Sequence, residues 1–179
     1  MTAWFFGYGS LVNRATHSYP QAQRARLHNW RRVWVRTAMR EVVFLSIHPA
    51  PGADIDGLIA AVPGADWTAL DAREAGYDRI NVISDMESDV NASPIAAYRV
   101  TPEMQRKAGK HFILLSYLDT VAQGFREEFG PAGVEAFFAT TDGWDAPVFD
   151  DRGSPRYPRA CDTTRAENAQ VDRLLAQVQ

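Results

Sequence analysis

The spacing of apolar residues changes once along the chain, and this change limits the possible folds. In roughly the first hundred residues, apolar side chains alternate with polar ones or form short runs, as in Trp4–Tyr8 and Arg24–Arg36. Alternation with a period of two is typical of β-strands. Later segments, such as Phe112–Phe129, repeat apolar residues every three or four positions, which is typical of helices. Strands followed by helices predict an α+β fold, with a small mixed, mainly antiparallel sheet or barrel flanked by helices.

Turn residues and caps divide these patterns into elements. The predicted strands are Trp4–Tyr8, Arg24–Arg36, Glu41–His48, Asp56–Val62, Tyr77–Ile83 and Ile95–Val100. A turn at Pro49–Gly52 makes the second, third and fourth of them a meander. The predicted helices are Asp66–Ala75, Phe112–Phe129, Val134–Phe138 and a last helix that begins with the capping box Thr164–Glu167. The polar stretch Asp85–Pro94 is predicted to be a loop.

Size and composition restrict the class of protein. A chain of 179 residues with 46% apolar and 23% charged residues is predicted to form a single globular domain over residues 1–179. Its net charge of −3 argues against nucleic acid and against an anionic membrane surface as partners. A small-molecule ligand is the expected partner, and the oligomeric state stays open.

Cysteine and histidine usage gives the expected compartment and cofactors. Cys161 is the only cysteine, so neither an internal disulfide nor a cysteine zinc cage can form. The four histidines are dispersed without zinc-binding spacing, and we therefore expect no metal and no cofactor. No run of 18 apolar residues is present, and the first residues lack the basic segment of a signal peptide. These features predict a cytoplasmic protein.

The segment Phe6–Leu11 contains two glycines directly after a predicted buried strand. Gly7 and Gly9 allow the backbone to approach a ligand closely, and successive N–H groups there can bind an anion. Val12 stands where a dinucleotide-binding loop needs its third glycine, and also where a nucleophile elbow at Ser10 needs glycine. Two interpretations stay open, a ligand-binding loop and a plain tight turn.

Glu74 comes at the end of a short predicted helix that stops at Gly76. A carboxylate at such a junction can project into a cleft, where partial desolvation raises its pKa toward that of a general base. The alternative is a surface charge cluster of Glu74 with Arg73 or Asp71 on a solvated helix end.

One basic region could bind nucleic acid. The stretch Arg24–Arg40 is basic and contains tryptophans, so Arg32, Trp34 and Arg36 could stack and bind single-stranded nucleic acid. Arginine stems packed over tryptophan on an exposed sheet face explain the same pattern, and the acidic total favours that explanation.

Three residues of the second half are candidates for substrate contacts. Tyr117 lies on the predicted long helix, and Tyr157 and Arg159 lie in the proline-rich stretch Asp150–Arg159. Each has a polar tip in an apolar or loop setting. The stretch itself fits either a loop that closes over a carboxylate ligand or a rigid connection.

Taken together, these residues resemble the γ-glutamylcyclotransferase-like family, which includes ChaC-like and AIG2-like proteins. The features that carry the resemblance are Gly7–Leu11 after the first strand, the strand Gly57–Val62, the segment Leu70–Tyr77 and the basic, tryptophan-bearing strand Leu27–Trp34. Their order and spacing are specific, and the resemblance covers roughly residues 4–125.

The resemblance implies a small mixed barrel and an enzyme that needs no cofactor. It implies that Tyr8, Gly9, Ser10 and Leu11 bind a γ-glutamyl group, and that Glu74 is the catalytic acid and base. The expected reaction is cyclisation of a γ-glutamyl amide to 5-oxoproline with release of the free amine or amino acid. A non-catalytic binding module for γ-glutamyl or amino-acid ligands on the same fold is the alternative.

The amine side of the substrate stays open at this point. Asn13–His17 departs from the pattern expected of the glutathione-specific branch. Glutathione, a γ-glutamyl amino acid and a γ-glutamylamine are therefore all candidate substrates.

Overall fold

Ten strands and three α-helices are present in the computed structural model, which describes residues 2–90, 94–106 and 109–179. The strands are β1 (Ala3–Gly7), β2 (Gln23–Thr37), β3 (Phe44–Val62), β4 (Asp78–Asn81), β5 (Met86–Glu87), β6 (Ile95–Arg99), β7 (Gln105–Arg106), β8 (Ile113–Leu114), β9 (Thr141–Asp142) and β10 (Val148–Phe149). The helices are α1 (Thr68–Arg73), α2 (Leu115–Ala139) and α3 (Arg165–Val178). The predicted loop Asp85–Pro94 lies partly outside the described residues.

The main sheet is curled into a half-barrel and is mainly antiparallel. Its strands run in the order β4-β6-β1-β3-β2-β5, and β7 and β9 also pair with β2. Only β1 with β6 and β2 with β9 are parallel pairs among the described residues of this sheet. The predicted α+β class with a mainly antiparallel sheet is therefore confirmed.

The middle strand β1 is buried on both faces, which fixes the loop that follows it. Phe6 is 1% exposed and belongs to the core that includes Phe125 of α2. Phe5 points to the other face and packs in a second cluster with Leu70 of α1. Because alternate residues of β1 anchor it to different layers, the backbone at Gly7 enters the loop from a fixed position.

The long helix α2 begins three residues later than predicted and extends further. Residues 113 and 114 form β8, which pairs in parallel with β10, so the helical stripe starts only at Leu115. At Gly130 the backbone leaves the helical conformation, with φ 72°, just before Pro131. This break separates the predicted helices Phe112–Phe129 and Val134–Phe138, although both belong to α2. The capping box at the start of α3 is confirmed.

The predicted turn at Pro49–Gly52 does not end a strand. β3 continues through it, because β2 pairs with β3 on both sides: His28 lies opposite Asp54, and Trp30 lies opposite Pro49. Residues 50–53 are therefore extra on β3 and face a single residue of β2. They form a bulge instead of the predicted meander turn.

The expectation of an exposed arginine and tryptophan face on β2 is wrong. Arg32 is 1% exposed and Trp34 is 4% exposed. This face of the strand lies against α2 inside the curl of the sheet, so these two residues offer no surface to nucleic acid. Within the described ranges, no helix is long and apolar enough to cross a membrane.

Candidate active site

Two connected cavities lie beside the loop that follows β1. The larger has a volume of about 650 Å³, and the smaller is a recess of about 30 Å³. Both are lined by Ser10, Leu45, Glu74, Tyr77 and Tyr117, so the recess joins the cavity at these residues. The larger volume is typical of small-molecule sites. The recess has room for only about two water-sized groups.

The loop Gly7–Leu11 forms one wall of the recess, and its glycines are needed for close packing. A Cβ atom on Gly9 would lie 2.8 Å from the Tyr117 hydroxyl oxygen. A 3-10 turn begins at Ser10, and the first N–H groups of such a turn have no partner within it. Among the described residues, the Gly9 N–H donates to no protein acceptor. The loop therefore has a backbone donor available for an oxygen atom of a ligand.

Glu74 lies where the recess meets the cavity, directly after the last residue of α1. The fully buried Leu70 anchors this helix, and Gly76, with φ 102°, turns the chain toward β4. The Glu74 side chain is 16% exposed. Burial raises the pKa of Glu74, although the guanidinium groups of Arg73 and Arg159 act in the opposite direction. A carboxylate with a raised pKa is suited to accept and return a proton near neutral pH.

Arg73 ties Glu74 to the segment that follows the loop. Its Nε lies 3.3 Å from a Glu74 carboxylate oxygen, and its Nη1 donates to the Thr16 carbonyl at 2.8 Å. The Arg73 side chain is only 8% exposed. The alternative of a solvated surface charge cluster for Glu74 and Arg73 is therefore wrong.

The phenol of Tyr8 is used inside the protein. Its hydroxyl donates to the carbonyl of Tyr98 and lies 3.4 Å from the carbonyl of Leu45. Tyr77 donates to the same Leu45 carbonyl at 3.0 Å. Burial raises the pKa of both phenols well above the ordinary value, so both stay neutral donors. The Tyr8 hydroxyl is therefore occupied by contacts within the protein.

Aromatic side chains form a second side of the cavity. The ring of Tyr117 meets the ring of Tyr157 edge-on at a centroid distance of 5.0 Å and that of Trp34 at 5.9 Å. Burial raises the pKa of the Tyr117 phenol, and the nearby Ser10 N–H acts in the opposite direction. The Tyr117 hydroxyl is thus a neutral group beside the loop.

The stretch between β10 and α3 is a fixed wall of the cavity. Asp151 accepts hydrogen bonds from the N–H and the hydroxyl of Ser116 at 2.7 and 2.6 Å and from the Arg156 N–H at 2.8 Å. Further along, the Cys161 N–H donates to the hydroxyl of Thr120 at 3.2 Å. The backbone is therefore held to α2 at both ends of the segment Arg156–Arg159, which lines the cavity.

The fold brings the predicted site residues together around these two cavities. Ser10, Glu74, Tyr117, Tyr157 and Arg159 line the larger cavity, and Tyr8, Gly9 and Leu11 line the recess. Tyr77 and Arg156 also line the cavity, and neither was predicted from the sequence as a site residue. Tyr77 directly follows Gly76, which ends the helix that carries Glu74. This position next to Glu74 is the sequence feature from which its place in the cavity could have been predicted.

Metal ligands are not grouped in this site. Across residues 2–90, 94–106 and 109–179, no three His, Cys, Asp or Glu side chains are close enough to hold a metal ion.

The sequence matches the family described as ChaC-like protein over residues 3–137, which is more than half of the chain. The chain therefore belongs to the ChaC-like family. No curated protein matches it by sequence.

Several solved structures resemble the fold, including the following three. A protein named gamma-glutamyl cyclotransferase has a TM-score of 0.62 at 16% identity, with 97% of this chain and 99% of that chain covered. The uncharacterized protein loc79017 from Homo sapiens has a TM-score of 0.60 at 18% identity, with 96% and 98% covered. YkqA from Bacillus subtilis has a TM-score of 0.61 at 16% identity, with 79% and 56% covered. At these identities the likeness concerns the fold alone.

Proposed function

We propose that the protein is a γ-glutamylcyclotransferase, which converts a γ-glutamyl amide into 5-oxoproline and a free amine. The observation that carries this proposal is the position of Glu74. Its shielded carboxylate, with a raised pKa, lies at the junction of the recess and the larger cavity. A proton acceptor and a backbone donor thus flank one small volume, as an intramolecular acyl transfer requires. Membership of the ChaC-like family supports the same reaction class.

Glu74 acts as both base and acid in this reaction. It accepts a proton from the α-ammonium group of the substrate, and the freed amine attacks the γ-carbonyl carbon. The bond from that carbon to the leaving nitrogen then breaks, as Glu74 returns the proton to the leaving nitrogen. At neutral pH the attacking nitrogen loses two protons and the leaving nitrogen gains two. Glu74 therefore begins and ends the cycle as a carboxylate, and no cofactor is required.

The loop stabilises the charge that develops on the γ-carbonyl oxygen. The recess is too small for the whole γ-glutamyl group but has room for an oxygen atom, and Gly9 lines it. Removal of one backbone donor of this kind typically lowers kcat by about 10²–10³-fold. Tyr117 and Tyr157 contact the rest of the γ-glutamyl group, because their rings line the adjoining part of the cavity.

The charge of the larger cavity favours a leaving group with a carboxylate. The charged residues that line it are the four arginines 40, 73, 156 and 159 and the two glutamates 41 and 74. Arg73 already contacts Glu74, whereas Arg159 has no carboxylate within salt-bridge distance among the described residues. Excess positive charge attracts an anionic group. γ-Glutamyl amino acids and peptides are therefore the proposed substrates, ahead of γ-glutamylamines.

The test is release of 5-oxoproline from γ-glutamyl amino acids, γ-glutamylamines and glutathione. The variants are Glu74→Gln and, as a matched control, Glu41→Gln, since Glu41 lines the same cavity but is exposed. We expect release by the wild type and by Glu41→Gln, and a loss of kcat of at least about 10²–10⁴-fold in Glu74→Gln. Retained activity in Glu74→Gln contradicts the mechanism. No release from any substrate leaves the non-catalytic binding module as the function of this cavity.

A further inference from the structure

Arg32 is a buried cation whose hydrogen bonds go to uncharged oxygen atoms. Its side chain is almost completely enclosed, with 1% of the residue exposed. Its Nε donates to the Tyr8 carbonyl at 2.8 Å, its Nη1 donates to the Thr140 hydroxyl at 2.8 Å, and its Nη2 donates to the Asp56 carbonyl. The three oxygens come from separate parts of the chain, so the planar guanidinium group joins the loop after β1 to β3 and to the end of α2.

Aromatic rings enclose the same guanidinium group. Its central carbon lies 4.8 Å from the ring centre of Phe125 and 5.2 Å from that of Phe137, both on α2. Burial lowers the pKa of Arg32 to about 9, which still leaves the group charged at neutral pH. Placing a charge in a core is costly unless dipoles and rings compensate it. The sheet could bury an apolar residue at this position at lower cost, so stability alone does not account for Arg32.

The contact with the Tyr8 carbonyl sets the direction of the next N–H group. A peptide unit is planar and trans, so its C=O and N–H groups point in opposite directions. With the Tyr8 carbonyl directed toward Arg32, the Gly9 N–H is directed away from Arg32. Gly9 lines the recess, and its N–H has no acceptor among the described residues. A cation at the carbonyl also polarises the peptide, which strengthens the N–H as a donor.

We propose that Arg32 is a positioning residue, which holds the Tyr8–Gly9 peptide so that the Gly9 N–H can bind the developing oxyanion in the recess. This inference rests on the proposed cyclotransferase reaction. Arg32 never touches the substrate, and it acts through the peptide. Its loss therefore lowers kcat, whereas substrate binding in the larger cavity changes little.

The main test compares Arg32→Lys with Arg31→Gln in steady-state 5-oxoproline release. Arg31 is the preceding residue of β2 and pairs with Asp142 outside the site at 2.8 Å, so its variant controls for the loss of a guanidinium group from the same strand. We expect Arg32→Lys to lower kcat by about 10–100-fold with KM within about threefold of the wild type. Arg31→Gln leaves both constants unchanged. Circular dichroism melts verify that each variant is folded.

A second pair of variants decides the question if Arg32→Lys does not fold. Thr140→Val removes one acceptor of the guanidinium group and keeps the shape of the side chain, whereas Thr140→Ser keeps the hydroxyl. We expect Thr140→Val to lower kcat by about 3–10-fold and Thr140→Ser to restore it, because a shifted guanidinium group misdirects the peptide.

Several results overturn the inference. The first is a folded Arg32→Lys variant with unchanged kcat. The second is a rise in KM without a fall in kcat in that variant. The third is an equal loss of kcat in Thr140→Val and Thr140→Ser. Each of these leaves the cyclotransferase activity of the wild type in place. If the wild type itself releases no 5-oxoproline, the proposed function fails, and the role of Arg32 fails with it.

Discussion

Two walls of the cavity are held in place by different interactions. The loop wall, which consists of Gly7–Leu11 and Glu74, is held by apolar strands and a buried arginine. The C-terminal wall, which consists of Arg156–Arg159, is held by hydrogen bonds. The loop wall follows β1, which packs on both faces. The C-terminal wall depends on Asp151 and its contacts with α2. The loop wall also lies inside the family match over residues 3–137, and the C-terminal wall lies outside it.

This difference indicates that the two walls have separate roles in the proposed enzyme, one in the chemical step and one in substrate binding. The loop wall is packed against the core and largely shielded from water, so small shifts of its atoms affect the chemical step. The C-terminal wall is more exposed, and its two arginines line the cavity without a salt bridge among the residues that the structure describes, so it affects which substrates bind. Changes in the loop wall should therefore lower kcat, and changes in the C-terminal wall should mainly change KM and the pH dependence.

Among variants that keep Glu74, the largest effect is expected from a methyl group in the loop wall. In Gly9→Ala, the new Cβ would lie 2.8 Å from the Tyr117 hydroxyl oxygen and 3.0 Å from Cδ2 of Leu45. One of them must shift, and we expect kcat to fall by about 100-fold. Overpacking should also lower the unfolding free energy by about 1–3 kcal/mol. The matched control is Gly153→Ala in the connection that carries the C-terminal wall, where a Cβ has no atom within 4 Å. Equal kinetics of the two variants would remove the distinction between the walls.

A smaller effect is expected when the C-terminal wall loses its anchor. Burial raises the pKa of Asp151, but hydrogen bonds from Ser116 and the Arg156 N–H outweigh it and lower the pKa overall. Asp151→Asn replaces one acceptor oxygen by a donor and should cost about 1–3 kcal/mol of unfolding free energy. We expect KM to rise by about tenfold with little change in kcat, measured beside Asp162→Asn, a change at an exposed position of the same connection. A loss confined to kcat would contradict the assigned role.

The next prediction concerns the dependence of kcat/KM on pH. The guanidinium group of Arg159 lowers the pKa of Glu74, so Arg159→Gln should raise that pKa further. Because Glu74 must be deprotonated to act as the base, the acidic limb of kcat/KM against pH should move to higher pH. Arg165→Gln removes one exposed positive charge away from the cavity and should leave the limb in place. An unchanged limb in Arg159→Gln would show that this guanidinium group does not act on Glu74.

The smallest effect is a gain in stability on removal of the base. The folded protein binds the Glu74 proton more tightly than the unfolded chain does, since burial raises the pKa above 4.5. The unfolding free energy therefore falls as pH rises from 4.5 through the folded-state pKa. We expect Glu74→Gln to melt on the order of a few degrees above the wild type at neutral pH and at the same temperature below pH 4. A lower melting temperature at neutral pH would mean that the Arg73 pair stabilises the fold.

The loop wall could be predicted from the sequence because its signals are local. An apolar run followed by Gly7 and Gly9 predicts a strand and a tight loop, and Gly76 predicts the end of the helix that carries Glu74. The order of strands before helices was enough to predict the α+β class. These features depend on residues that are close together in the chain.

Long-range packing explains what the sequence did not reveal. Alternation along β2 places Arg32 and Trp34 on one face and Val33 and Val35 on the other, and the apolar valine face is the one that a sequence pattern assigns to the core. The structure instead buries Arg32 and Trp34 against α2. The bulge at residues 50–53 depends on the pairing of β2 with β3 on both sides of it. The turn-forming residues Pro49–Gly52 contain no information about that pairing. The anchoring of the C-terminal wall joins Asp151 to Ser116, which lie 35 residues apart.

Titration of the Glu74 carboxyl by ¹³C NMR shows whether this group can act as the base, with Glu74→Gln used to assign the signal. We expect a midpoint above 4.5, because burial outweighs the two guanidinium groups. A midpoint at or below 4.5 would mean that Glu74 behaves as an ordinary ion-paired carboxylate. Its role as the base, and with it the division between the two walls, would then be wrong.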